Sequence, residues 1–206
     1  MKFCKHCQYD NLVGKIIELD DKEIIFFEGD ELKYIFQVYQ GYVKMVRYLE
    51  NGDERIIGIL GPGDYLGLLA LLQERKEFLA TAIPLTKVSL KKIPKFEVVN
   101  AYESNLKFRD SCLKCAVTRS NLFQNSLVNS ANSDTLDKII NTLNSLFERF
   151  GLIEKANKVL ILPFSKTVLA NIIGIRRETL SRYLSKLQQE KVIRIEKNKY
   201  YLLYVI

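Results

Sequence analysis

No apolar run in this chain, such as Ile56 to Leu60 or Leu66 to Leu72, approaches the roughly 18 to 20 residues needed to cross a bilayer. The N-terminus also lacks an apolar signal core, so a cytoplasmic protein with no membrane partner is expected. Cysteine is scarce. Four in 206 residues are too few for a disulfide scaffold, and paired cysteines in a reducing compartment point instead to metal or redox chemistry. Histidine occurs once, as His6. No Ser/His/Asp set, Walker motif or paired-carboxylate signature is present, so the chain reads as a binding protein and not as an enzyme. Glycine and proline are both missing from Lys95 to Phe150, which removes the usual breakers from that stretch and leaves it free to be helical.

Hydrophobic residues make up 48% of the chain and charged ones 27%, enough apolar material to fold unaided. The net charge of +7 is unevenly placed. Residues 163–206 hold nine basic side chains (Lys166, Arg176, Arg177, Arg182, Lys186, Lys191, Arg194, Lys197 and Lys199) against three acidic ones (Glu178, Glu190 and Glu196). The preceding residues are almost neutral. A neutral body with a basic C-terminal fifth suits a regulatory domain joined to one that binds a polyanion.

From Lys15 to Lys92 the pattern is one of short β-branched and aromatic runs: Lys15 to Leu19, Glu23 to Phe27, Tyr34 to Tyr39, Tyr42 to Leu49, Glu54 to Leu60 and Leu85 to Leu90. Asn51-Gly52 suits a tight hairpin, because both residues tolerate positive φ. Gly29-Asp30 and the string Gly61-Pro62-Gly63-Asp64 mark further turns. Beyond Pro94 the spacing becomes helical. Leu106, Leu113, Ser120 and Leu127 recur every seven residues, with Ala116 and Phe123 interleaved, which predicts a helix that pairs with its own copy. A polar break at Asn129 to Asp134 precedes a second helix, Thr135 to Phe150, capped by Ser133 or Asp134 and closed by Gly151.

The C-terminal segment holds the sharpest motif. Ser165 is a good N-cap for a helix from Lys166 to Ile173, Gly174 permits a tight turn, and Arg176 to Glu190 forms a second helix. Leu180, Leu184 and Leu187 fall on one side of it, with Arg177, Glu178, Ser181 and Arg182 placed nearly opposite. Val192 to Ile195 and Tyr200 to Ile206 around Asn198 read as a β-hairpin wing. The expected class is therefore α+β: an N-terminal antiparallel β-roll of cupin or jelly-roll type, a long dimerisation helix, and a C-terminal winged helix-turn-helix. The expected boundaries are 1–93 for the arm and roll, 94–131 for the helix and hinge, and 132–206 for the DNA-binding domain. An Arg fork matches guanine O6/N7 and Glu accepts from cytosine N4, so the exposed residue types suit base edges of double-stranded DNA.

With these motifs the sequence resembles the CRP/FNR family of bacterial transcription regulators over nearly its whole length. The resemblance rests on Gly61-Pro62-Gly63-Asp64-Tyr65-Leu66-Gly67 in the roll and on Arg177-Glu178-Thr179-Leu180-Ser181-Arg182 in the second helix. It implies base reading by Arg177, Glu178 and Arg182 at a near-palindromic site with TGA-like half-sites, bound by a homodimer, with RNA polymerase as a further partner. Glu178 with Ser181 and Arg182 resembles the FNR branch, whereas the preceding Arg177 resembles the cyclic-AMP receptor branch. Lys166, Arg176 and Ser165, at the two helix starts, complete the expected DNA-binding set. Family members that hold a cyclic nucleotide use a Gly-Glu pair and an Arg-Ser/Thr pair. The corresponding positions here are Gly67-Leu68 and Phe78-Leu79, which supply neither a cation nor an acceptor for a cyclic phosphate and ribose. No cyclic nucleotide is expected, and the roll interior should be filled by side chains.

Cys4-x-x-Cys7 and Cys112-x-x-Cys115 account for every cysteine. Four thiolates are the complement for tetrahedral zinc or for an iron-sulfur cluster. FNR-type oxygen sensors resemble this only in part, with three cysteines near the N-terminus and one further on. Three readings stay open: a metal or cluster centre, a dithiol-disulfide switch, and structural cysteines. With Leu113 and Ala116 as seam positions, Cys112 and Cys115 lie about 100° around the helix, facing the chain's own roll. His6 is read as incidental. A thiol oxidoreductase would need a low-pKa cysteine at a helix N-terminus in an α/β fold, and nothing near residues 1–14 suggests one.

Overall fold

The computed structural model describes residues 11–203 except 22, 53, 133, 155–156, 163–164 and 198; for 122–123, 125–132, 152–154 and 157–158 the description is of backbone. The first compact unit runs to Phe123 and the second begins at Gln124. The change of unit thus falls inside a helix, several residues before the polar break.

The first unit opens with strands β1 (Lys15–Leu19), β2 (Tyr34–Gln40), β3 (Val43–Tyr48), β4 (Glu54–Leu60) and β5 (Tyr65–Leu66). A short helix α1 (Leu68–Leu72) and strands β6 (Thr81–Pro84) and β7 (Val88–Pro94) follow. One sheet has the order β1-β7-β2-β5 and a second β4-β3-β6, every pairing antiparallel. The core between them contains Phe26, Ile35, Phe36, Val38, Leu66, Phe78 and Leu90.

The expected strand at Glu23 to Phe27 does not form; only Phe26 makes an isolated bridge, to Ala82. Ile25 N–H donates to Ala82 O at 3.0 Å, but Phe27 N–H donates instead to the side chain of Asp30, at Oδ2, 2.8 Å away, which ends the pairing after one bridge. The last expected strand of the roll is shifted. Thr86 Oγ1 accepts from Tyr42 N–H at 3.1 Å and Leu85 N–H donates to Tyr42 O, so 85–87 become a turn and β7 starts at Val88.

Gly67 sits ahead of α1 at φ 86°, and a Cβ there would stand 2.9 Å from Phe78 Cε1. Gly67→Ala should therefore destabilise the roll by about 1 to 2 kcal/mol from the left-handed backbone alone, seen as a lower urea midpoint at unchanged m-value.

Helices α2 (Lys95–Ser104) and α3 (Leu106–Asn132) replace the single long helix suggested by the sequence. Asn105 turns extended at φ −120°, and its Oδ1 accepts from Phe108 N–H at 3.0 Å. An N-cap inside an uninterrupted helical pattern thus starts a new helix.

The second unit contains α4 (Thr135–Phe150), β8 (Leu152–Glu154), β9 (Asn157–Ile161), α5 (Lys166–Ile173), α6 (Arg177–Gln189), β10 (Ile193–Glu196) and β11 (Lys199–Leu202). Asp134 caps α4, but Gly151 is extended at φ −67°, ψ 143° and not left-handed as a C′ glycine would be. The wing is larger than the expected hairpin, a four-stranded sheet in the order β10-β11-β9-β8. Ile139, Leu143, Leu160, Leu169, Leu180, Leu184 and Tyr200 form this unit's core.

Candidate nucleic-acid interface and thiol site

Helices α5 and α6 are joined by Gly174, which takes φ 80°, ψ 37°. Ser165 caps α5 by accepting from Val168 N–H at 3.4 Å, so its hydroxyl is engaged with its own helix. Leu180, Leu184 and Leu187 bury one side of α6. At about 100° per residue, the side opposite this core carries Glu178, Arg182, Ser185 and Gln189, all exposed. Ser185 and Gln189 continue the strip one and two turns beyond the motif, a position legible from the helical period though the motif drew attention only to its own residues. Arg177 lies nearer the core side than the sequence reading placed it and is exposed because it occupies the first turn; Ser181 is half-buried. Among the described residues, Lys166, Arg176, Arg177 and Glu178 make no ion pair, so these exposed charges are available to a ligand. Arg182 lies over the Tyr183 ring at 5.5 Å, a cation–π contact that holds the guanidinium.

The wing adds charge close to its turns. Lys191 and Lys197 are exposed at left-handed φ of 58° and 57°, and Arg194 packs over Tyr201 at 4.3 Å while meeting Glu196 at 3.1 Å.

In the first unit, Cys112 and Cys115 are 1% and 2% exposed and belong to the roll core. Phe108, one turn before Cys112, is buried on the same face and meets Tyr65 edge-on, with ring centroids 6.3 Å apart. Burial, and after it the neighbouring Cys115, pushes the Cys112 thiol up to about 12. A neutral buried thiol is neither a nucleophile nor a ligand until it is deprotonated. Cys4, Cys7 and His6 lie outside the described residues. Among the described residues no three His, Cys, Asp or Glu side chains cluster as a metal site would require. The two helical sulfurs nonetheless fit half of a zinc or iron-sulfur donor set.

The opposite face of α3 exposes three large apolar side chains, Leu106 at 67%, Leu113 at 48% and Val117 at 59%, with Asp110, Ser120 and Gln124 exposed beside them. Ala116 is half-buried toward the roll side, so Val117, which the heptad count passed over, extends the exposed strip. The Phe123 and Leu127 side chains are outside the description. The strip lies about 150° around the helix from the two cysteines, further than the expected 100°.

The roll positions that would meet a nucleotide are Leu68, Phe78 and Leu79, of which the first two are buried. Phe78 stacks on Phe26 at 3.6 Å between centroids, and Phe26 on Phe36 at 5.7 Å, so aromatic rings occupy the interior. No helix of the described residues is long and apolar enough to cross a membrane.

Residues 16–105 match the family described as cyclic nucleotide-binding domain, and residues 137–205 match the Crp-like helix-turn-helix domain. The regulatory protein HlyX of Actinobacillus pleuropneumoniae is 23% identical over 190 residues, covering 92% of this chain and 78% of that protein. The global nitrogen regulator of Nostoc sp. is 28% identical over 176 residues, covering 85% and 79%. Among solved structures, FixK2 from Bradyrhizobium japonicum superposes with a TM-score of 0.82 at 18% identity, covering 94% of each chain.

Proposed function

The chain belongs to the CRP/FNR family of DNA-binding transcription regulators, and on that premise we propose that it acts as a homodimer whose DNA affinity follows redox, oxygen or metal status taken up at its thiol pairs. Proteins of this family are regulators and not enzymes. Supporting the reading is the two-sided character of α3, which presents Cys112 and Cys115 to the roll and Leu106, Leu113 and Val117 outward on the other side. A change of state at the thiols therefore acts on the helix that would carry the dimer seam.

Cys4, Cys7, Cys112 and Cys115 would hold a zinc ion or an iron-sulfur cluster; the cluster would supply sensitivity to oxidants, and zinc a fixed link between arm and helix. The roll would take no cyclic nucleotide, since Leu68 and Phe78 leave an anionic phosphate without a cationic partner. The alternative is constitutive DNA binding with cysteines that only pack or hold a structural zinc, and the burial of Cys112 and Cys115 is equally in keeping with it.

Protein purified without oxygen and assayed for iron, sulfide and zinc separates these readings. Cys4→Ser and Cys112→Ser should lose metal to a similar degree, with His6→Ala nearly silent, because each ligand must be a thiolate. A disulfide switch would instead show four freely titrating thiols after reduction, no metal, and DNA affinity that follows the reductant. Less than a trace of iron and zinc rules out the metal centre. A four-serine variant that binds its DNA site as the parent does, under both oxidising and reducing conditions, rules out sensing.

A further inference from the structure

Arg119 belongs neither to the DNA-facing surface nor to the exposed strip of α3. It follows Phe108, Cys112 and Cys115 at intervals of four, three and four residues, which gathers all four side chains within an arc of about 60° on the helix. Both ends of this stretch touch one residue of the roll. The Phe108 ring meets the Tyr65 ring edge-on, and Arg119 Nη2 donates to Tyr65 O at 3.1 Å. The two thiols lie between these contacts, along about 16 Å of helix.

The receiving end is itself braced. Asp64 Oδ1 stands 3.9 Å from Arg119 Nη2, with side-chain exposures of 6% and 19%. Asp64 Oδ2 accepts from Gly61 N–H at 2.9 Å. Gly63 N–H donates to Val38 O at 2.7 Å and Val38 N–H to Asp64 O at 2.9 Å. The Gly61-Pro62-Gly63-Asp64 turn is thereby tied to β2. Moving a guanidinium that donates to a carbonyl 54 residues away in sequence and stands beside a mostly buried carboxylate costs one hydrogen bond and one charge contact.

We propose that Arg119 is a positioning residue that clamps α3 onto the turn before β5 and so controls when Cys112 and Cys115 can be reached. With the clamp closed the thiols are sealed in the roll, and an oxidant or a metal ion gains access only when α3 lifts from Tyr65. Release at Arg119 is then the step that admits the signal. This deepens the thiol-input reading and rests on it for its biological purpose, but its test involves neither DNA nor metal.

The test is N-ethylmaleimide labelling of the reduced, metal-free full chain, with each cysteine followed separately by peptide mass spectrometry. In the parent, Cys112 and Cys115 should label slowly. Arg119→Gln should accelerate both at least tenfold, leave Cys4 and Cys7 at their parental rates, and preserve the far-UV circular dichroism. Arg119→Lys should fall between the two, since an ammonium reaches the carbonyl without the fork. Asp64→Asn, which removes the charge but not the turn, should accelerate labelling several-fold. Unchanged rates at Cys112 and Cys115 in Arg119→Gln overturn the clamp, as does an acceleration that only matches the variant's loss of global stability. If Arg119→Gln fails to fold, Arg119→Lys and Asp64→Asn decide, and parental rates in both overturn it. Failure of the thiol-input reading would appear in the DNA binding of the four-serine variant; failure of the clamp appears only in the labelling rates.

Discussion

Arg182→Ala should weaken binding to the cognate DNA site by about 1 to 3 kcal/mol, roughly 5- to 150-fold, and binding to random duplex far less. Arg182 projects from the side of α6 opposite Leu180, Leu184 and Leu187, and its guanidinium is already held over Tyr183, so less freedom is lost when it meets a base. Arg177→Ala should show the same selectivity from the first turn of the helix, where a recognition helix brings its N-terminal residues to base edges. Glu178→Ala should relax the preference at a single base pair. Lys166→Ala and Arg176→Ala serve as contrasts: as phosphate contacts they should lower affinity alike on every sequence and reduce the slope of log affinity against log salt by about one each. Fluorescence anisotropy at fixed salt, on a site obtained by selection from random duplexes, reads all five. Equal losses on cognate and random DNA for Arg177 and Arg182 would contradict base reading.

Leu113→Glu combined with Val117→Glu should convert a dimer into monomers, measured by sedimentation equilibrium. Leu106, Leu113 and Val117 project from α3 as large exposed side chains along one strip, and apolar surface of this kind is stable in water when a partner covers it. A twofold pair of chains would present two α6 helices to two half-sites. Losing the pair should reduce affinity for the full near-palindromic site by about 10²- to 10⁴-fold, the gain that linking two modest interactions provides, while binding to a single half-site is little altered. An undiminished dimer in the double variant would place the interface elsewhere.

Much of the fold was legible because it depends on neighbours in sequence. β1 and β4 stand where their β-branched runs suggested, and α4, α5 and α6 match their caps and turns to within a residue, through Asp134, Ser165 and Gly174. The errors share a cause. The run at 23–27 had strand residues but pairs only around Phe26, because Phe27 N–H is taken by the Asp30 side chain. The long helix broke where Asn105 was free to cap Phe108. β8 and β9 were missed because their recognition required the wing strand with which β9 pairs.

For the candidate sites, residue chemistry alone put forward Arg177, Glu178 and Arg182 on α6 as base readers, displayed the absence of a cation at Leu68 and Phe78, and displayed the two Cys-x-x-Cys spacings, since each depends on side-chain identity at a short spacing. Only the tertiary structure decided that Cys112 and Cys115 are buried, that Val117 and not Ala116 continues the exposed strip, and that Arg119 closes on Tyr65 and Asp64. The reason is the range of the forces involved. Helical hydrogen bonds and caps act over three or four residues, and a sequence displays both partners together. Burial, desolvation and the Arg119 contact depend on which distant segments the folded chain brings face to face, and no local pattern contains that pairing.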